Sequence, residues 1–151
     1  EEENVPLEAL PQLLNPCFPA GIRVLEAYDS PRKVKELKYL RCAIGLEYDG
    51  GVSDGVIQKL SGLFDRESVI VEKKTKKGMA ETDIRPMIRA LEIVRKNEQE
   101  LTLQTVVCAQ EPSLNPQLLI RAVERHLPDC VPDFSAAHRI EVYDENMEVF
   151  R

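Results

Sequence analysis

The sequence predicts an α+β fold, and three observations carry that prediction. Residues 39–48 alternate apolar with polar or small side chains at a period of two. Residues 56–64 and 118–126 instead place their apolar side chains on one face of a helix. From Tyr39 onward these segments succeed one another as strand, helix, strand, strand pair, helix and strand. With one extra strand, that order approximates the β-α-β-β-α-β ferredoxin-like arrangement, an antiparallel sheet with two helices on one face.

The elements follow in order from residue chemistry. Leu7, Leu10 and Leu14 recur at helical spacing, and Pro11 within that pattern keeps the helix short, kinked or late in starting. Ile22–Tyr28 reads as a strand, so residues 1–36 are expected to form a helix-strand arm, the remainder of a preceding half, and residues 37–151 the α+β domain. The acidic start from Glu1 to Glu3 reads as a beginning partway through a longer protein. In the strand at 39–48, Leu40, Cys42, Ile44, Leu46 and Tyr48 share one face. Asp49-Gly50-Gly51 turns the chain, and Ser53 or Asp54 caps a helix with Val56, Ile57, Leu60 and Phe64 on one side. Ser68–Val71 is a short β-branched strand. Arg89–Arg95 and Leu101–Val107, joined by a turn at Asn97-Glu98-Gln99, form the clearest hairpin. Asn115 then caps a helix with Pro116 in its first turn and Leu118, Leu119, Ala122, Val123 and His126 inward. His138–Tyr143 is the last strand, with Val149 and Phe150 extending or docking the tail.

Composition narrows the function classes. With 43% apolar and 30% charged residues over 151 positions, the chain can bury a core and is not disordered throughout. A formal net charge of −6 argues against a general nucleic-acid coat, so no DNA partner is expected and any RNA contact must be local. Neither a signal peptide nor a membrane-spanning apolar run is present in these residues, which makes the cytoplasm, with reduced thiols, the expected setting. Cys17, Cys42, Cys108 and Cys130 are widely spaced and lack histidines at ligand spacing, so no metal site is expected.

One stretch stands apart. Lys73, Lys74, Lys76 and Lys77 place four cations within five residues of an otherwise acidic chain. Gly78 permits a tight turn, and Pro86 biases Arg85 toward an extended conformation. The segment therefore reads as an exposed, hairpin-like excursion with Thr82-Asp83-Ile84-Arg85 as its far arm, Asp83 and Arg85 on one side and Ile84 on the other. It is either a solvated loop whose lysines guard a hydrophobic strand, or a contact surface for phosphate or an acidic partner. Lys73, Lys74, Lys76, Lys77, Asp83 and Arg85 are the candidate contact residues.

A catalytic constellation is missing. No Gly-rich phosphate loop, nucleophile elbow or zinc-protease signature occurs. His126, on an apolar helix face, reads as a structural imidazole, and His138 as a surface or interface residue. Asp83 is a general base or, with more support, a brace for Arg85. Aromatic stacking of single-stranded RNA needs paired exposed rings, whereas Tyr39 and Tyr48 fall on opposite strand faces.

Lys73 to Pro86, the strand pair after it, Ser113-Leu114-Asn115-Pro116-Gln117-Leu118-Leu119 and, upstream, Leu14-Asn15 and Phe18-Pro19-Ala20-Gly21-Ile22 resemble the bacterial radical SAM-linked protein family. That family is a domain of unknown function encoded beside, or fused to, a radical S-adenosylmethionine protein. Its members carry an earlier Ser-His-Leu-Asp run absent from these residues, so the chain resembles the family's C-terminal portion. The resemblance implies an accessory or substrate-presenting domain for a radical SAM enzyme, in RNA or ribosome-related modification. The close cysteine trio of an iron-sulfur enzyme is absent, so this chain is expected to hold no cofactor and radical chemistry would belong to the partner. The alternative expectation, from the ferredoxin-like order and the basic excursion, is an RNA-binding or RNA-processing module.

Overall fold

The computed structural model describes residues 5–75 and 78–151 and is an α+β structure. It divides into two compact units, residues 1–33 with Arg151, and residues 34–150. Among the described residues, no helix is long and apolar enough to cross a membrane.

In the first unit, Pro11 sits in the first turn of a five-residue helix, α1 (Leu10–Leu14), flanked by 3-10 turns at Leu7–Ala9 and Asn15–Cys17. The strand expected at Ile22–Tyr28 does not form. A β-branched, alternating pattern supplies the capacity to pair, but a ladder also needs a partner backbone. Here the Asn15 side chain takes the partner's place at one residue. Its Oδ1 accepts from Val24 N–H at 2.7 Å and its Nδ2 donates to Val24 C=O at 3.1 Å.

The second unit is built on an antiparallel four-stranded sheet. Its strands are β1 (Tyr39–Glu47), β4 (Ile88–Arg95), β5 (Glu100–Cys108) and β6 (Phe134–Tyr143), in the order β4-β5-β1-β6. Between β1 and β4 lie helix α2 (Asp54–Phe64) and a separate two-stranded sheet of β2 (Ile70–Thr75) and β3 (Gly78–Asp83). Helix α3 (Gln117–His126) joins β5 to β6. Because β1 and β4 both run antiparallel to the β5 between them, they are parallel to each other. The chain crosses over through α2 to connect them.

The alternation read in residues 39–48 is realised in β1. Cys42, Ile44 and Leu46 are buried, and Tyr48 continues their face beyond the strand end. Ile44, Leu46 and Tyr48 pack with Leu101, Leu103 and Val107 of β5 and with the buried faces of α2 (Leu60, Leu63, Phe64) and α3 (Leu118, Leu119, Ala122, Val123). Val69, Val71 and Ile84, at the root of the small sheet, join the same core. Ser53 Oγ accepts from Val56 N–H at 3.3 Å and caps α2, and Gly51 takes φ +87° in the turn before it. Asn115 Oδ1 accepts from Gln117 N–H at 3.0 Å at the start of α3. At the tail, Val149 bridges Tyr143.

Among the described lysines the basic stretch is strand and not loop. Lys73 and Lys74 lie within β2, paired with Ala80 and Met79 of β3, so the expected strand at Ser68–Val71 is shifted and extended into the lysines. Val71, 1% exposed, anchors this strand to the core, and the ladder propagates outward from it through the lysines. The far arm is Gly78–Asp83 rather than residues 82–85. Ile84 turns to an αR conformation, and Arg85–Met87 forms a 3-10 turn with Pro86 in it. The extended bias before proline is overridden there, with Asp83 Oδ1 accepting from Arg85 N–H, and Asp83 and Arg85 do not share one strand face.

Candidate contact site

The β2–β3 hairpin is positioned by its root. Asp83 Oδ1 accepts from Val69 N–H at 2.8 Å and from Arg85 N–H at 3.0 Å, tying together the two chain segments where the hairpin leaves the core. Partial burial raises the Asp83 carboxyl pKa. The Val69 and Arg85 N–H groups, the Ser68 side chain and the Arg85 charge outweigh that effect and hold it below its ordinary value. Such a carboxylate is a poor proton acceptor, so the geometry favours the brace over the general base. The bracing reaches Arg85 through its main chain; its guanidinium Nη1 donates to Ile88 C=O at 3.1 Å.

The lysines divide. Lys73 is half-buried and its Nζ donates to Ser113 C=O at 2.7 Å, which links the hairpin to the segment before α3 while leaving the positive charge unneutralised. Lys74 is exposed and, among the described residues, has no carboxylate partner. Lys76 and Lys77 lie outside the described residues. Two of the hairpin's acids are engaged: Glu81 forms an ion pair with Arg125 of α3, and Asp83 is occupied at the root, whereas Glu72 is exposed.

The outer face of α3 and β2 border a cleft of about 540 Å³ lined by Glu72, Arg121, Glu124 and Arg125. Arg121, Glu124 and Arg125 meet there because positions three and four apart share a helix face. Glu72 pairs in register with Glu81, the partner of Arg125. At the end of α3, His126 Nε2 lies 2.8 Å from Ile70 C=O. A carbonyl only accepts, so Nε2 carries the proton and His126 acts as the structural imidazole expected.

The sheet face opposite the core carries small residues, Ala43 and Gly45 of β1 and Ala136 of β6, beneath a cavity of about 280 Å³, and a second of about 350 Å³ is lined by Arg41, Gln104, Val106 and Tyr143. At one end Tyr39 stands directly opposite Tyr143. The Arg89 guanidinium lies 4.8 Å from the Tyr39 ring centroid and its Nη1 donates to the phenol oxygen at 3.2 Å. Sequence reasoning missed Tyr143 and Arg89. Strand parity separated Tyr39 from Tyr48 correctly, but which residue faces Tyr39 depends on register with a strand about 100 residues away. Tyr48 itself is buried and donates to Cys130 C=O at 2.9 Å. His138 is exposed opposite Ala43. Cys42 and Cys130 are buried, and no group of histidine, cysteine, aspartate or glutamate suited to a metal occurs among the described residues.

The hairpin and its surroundings present charged side chains, main-chain hydrogen-bonding groups and apolar surface. A family model described as "Uncharacterized protein conserved in bacteria (DUF2344)" matches residues 1–116, a span that takes in the hairpin and stops before α3. No curated protein and no solved structure matches the chain.

Proposed function

The chain belongs to DUF2344, an uncharacterized protein family conserved in bacteria, and on that premise we propose that it serves as an accessory or substrate-presenting domain of a radical SAM enzyme, meeting its partner through the β2–β3 hairpin. The observation that carries this reading is the imbalance of charge on the hairpin. Glu81 and Asp83 are satisfied internally and Glu72 lines the cleft with Arg121 and Arg125, while the Lys73 ammonium meets only a neutral carbonyl and Lys74 meets no carboxylate among the described residues. Uncompensated cations on an acidic protein steer an acidic surface toward one place. The identity of the partner as a radical SAM protein rests on the resemblance of Lys73 to Pro86 to that linked family. The strand order β4-β5-β1-β6, with α2 and α3 as crossovers, supports the ferredoxin-like assignment of the platform, and a cytoplasmic setting belongs to the same reading. The test is co-purification with a radical SAM protein from the same organism. Exchange of Lys73, Lys74, Lys76 and Lys77 for glutamate abolishes association on this reading, and unchanged association removes the hairpin from the interface.

A second reading, an RNA-binding module, draws support from the Tyr39–Tyr143 pair with Arg89 beside it, since rings on adjacent strands offer a surface on which bases stack. It requires affinity for single-stranded RNA that falls steeply with salt. Four lysine–phosphate contacts correspond to a log–log slope of about −3. Absence of binding at low salt rules it out.

A further inference from the structure

We infer that the outer edge of β3 accepts an extended, acidic segment of a partner polypeptide as a third strand of the small sheet. This rests on the reading of the hairpin as contact surface and specifies how contact is made. Ile84 N–H donates to Val69 C=O at 2.9 Å, which sets the phase of the β2–β3 ladder. Residues 69/84, 71/82 and 73/80 are then the inward-bonding pairs, and the main-chain groups of Ile70, Glu72 and Lys74 on β2 and of Met79, Glu81 and Asp83 on β3 point outward. The two edges are not equivalent. On β2, the Ile70 carbonyl is already taken by His126, and α3 packs against the strand. On β3, the outward main-chain groups of Met79 and Glu81 have no partner among the described residues.

Unpaired edges are commonly blunted by lysine, proline or a bulge. Gly78–Asp83 contains no lysine and no proline, and it pairs with β2 without a register shift. Lys73 and Lys74 lie on the other strand, one strand spacing of about 4.8 Å behind the free edge, and the exposed Lys74 is within reach of an incoming carboxylate by its stem. Of the edge's own acids, Glu81 is paired with Arg125 and Asp83 stays ionised at the root, so the guest's carboxylates belong at the Met79 end, opposite Lys74. Met79, 56% exposed, offers the apolar contact that an alternating strand uses for specificity.

The test is amide hydrogen exchange and shift mapping on the full chain with two blocked hexapeptides, one alternating aspartate with valine and one alternating lysine with valine. The expected result is at least a tenfold slowing of exchange at Met79 and Glu81 with the aspartate peptide and no change with the lysine peptide. Met79→Pro deletes an outward N–H that takes no part in the β2 ladder, so it raises the peptide Kd at least tenfold while the Ala80 amide stays protected. Should that variant disturb Ala80, Met79→Lys, which guards the edge without touching the backbone, gives the same loss. Shifts around Lys74 without protection of Met79 and Glu81 overturn strand addition and leave the contact surface standing. Absence of any hairpin response to either peptide counts against both. Protection of the same amides without peptide, in step with self-association in sedimentation equilibrium, or by a single-stranded RNA oligonucleotide, also overturns the inference, since the occupant would then be a second copy or a nucleic acid.

Discussion

Replacing Asp83 probes the joint between hairpin and core. Alanine removes the acceptor of two main-chain N–H groups, those of Val69 at 2.8 Å and Arg85 at 3.0 Å. A hydrogen bond to a charged group contributes about 1.5–3 kcal/mol when buried, but Asp83 is only partly buried and water can replace part of each bond, so about 1 kcal/mol per bond is the better figure. The expected loss for Asp83→Ala is therefore about 2 kcal/mol. Asp83→Asn keeps an oxygen acceptor without its charge and should cost about half as much. Urea unfolding read by circular dichroism measures both, with unchanged slope and a lower midpoint. The pH dependence gives a second readout. The folded pKa lies below the ordinary 3.8, so the carboxylate's contribution is fully present above pH 3.8 and disappears as pH falls through the folded value. The gap between wild type and Asp83→Asn should accordingly close below that pH. An alanine variant within about 0.5 kcal/mol of wild type, or a gap indifferent to pH, would refute the assignment of Asp83 as the clamp.

Four further outcomes follow from the packing. Burial pushes the Tyr48 phenol up to about 12, with the Cys130 and Asp133 charges adding to it. A spectrophotometric titration should show this tyrosine ionising last, and its share of stability, complete below pH 10, should fade as pH rises through about 12. Tyr48→Phe leaves the Cys130 carbonyl without its donor and should cost about 1–2 kcal/mol in the same urea assay. Leu46→Ala, at a position with 0% exposure, should cost about 2–5 kcal/mol through lost burial and a residual cavity. Glu81→Gln breaks a pair whose side chains are 64% and 40% exposed, so it should change stability by less than about 1 kcal/mol, and by less still at high salt.

The strands and helices of residues 39–143 were legible because their signals are local. Alternation in Leu40–Tyr48, the Ser53 cap, the β4–β5 hairpin with its turn at Asn97–Gln99, and the inward stripe of α3 each follow from neighbours a few positions apart. Local signals also misled. Ile22–Tyr28 has a strand's side chains without a strand's partner, and the hairpin-like excursion has its far arm not at the expected residues 82–85 but at residues 78–83, where Lys73 and Lys74 pair with Ala80 and Met79. Of the candidate site, the sequence marked the cations and Asp83. It could not mark the Ser113 carbonyl 40 residues from Lys73, Arg125 44 residues from Glu81, or His126 closing the β2 edge.

What the sequence by itself determined is which segments could be strand or helix and where the unusual charge lies, since both depend on residue type and short-range spacing. What only the tertiary structure decided is which strand edges remain open and which charges are already spent. Those depend on contacts between residues far apart in the chain, and hydrogen bonds and ion pairs form only where folding brings a donor to within about 3 Å of its acceptor.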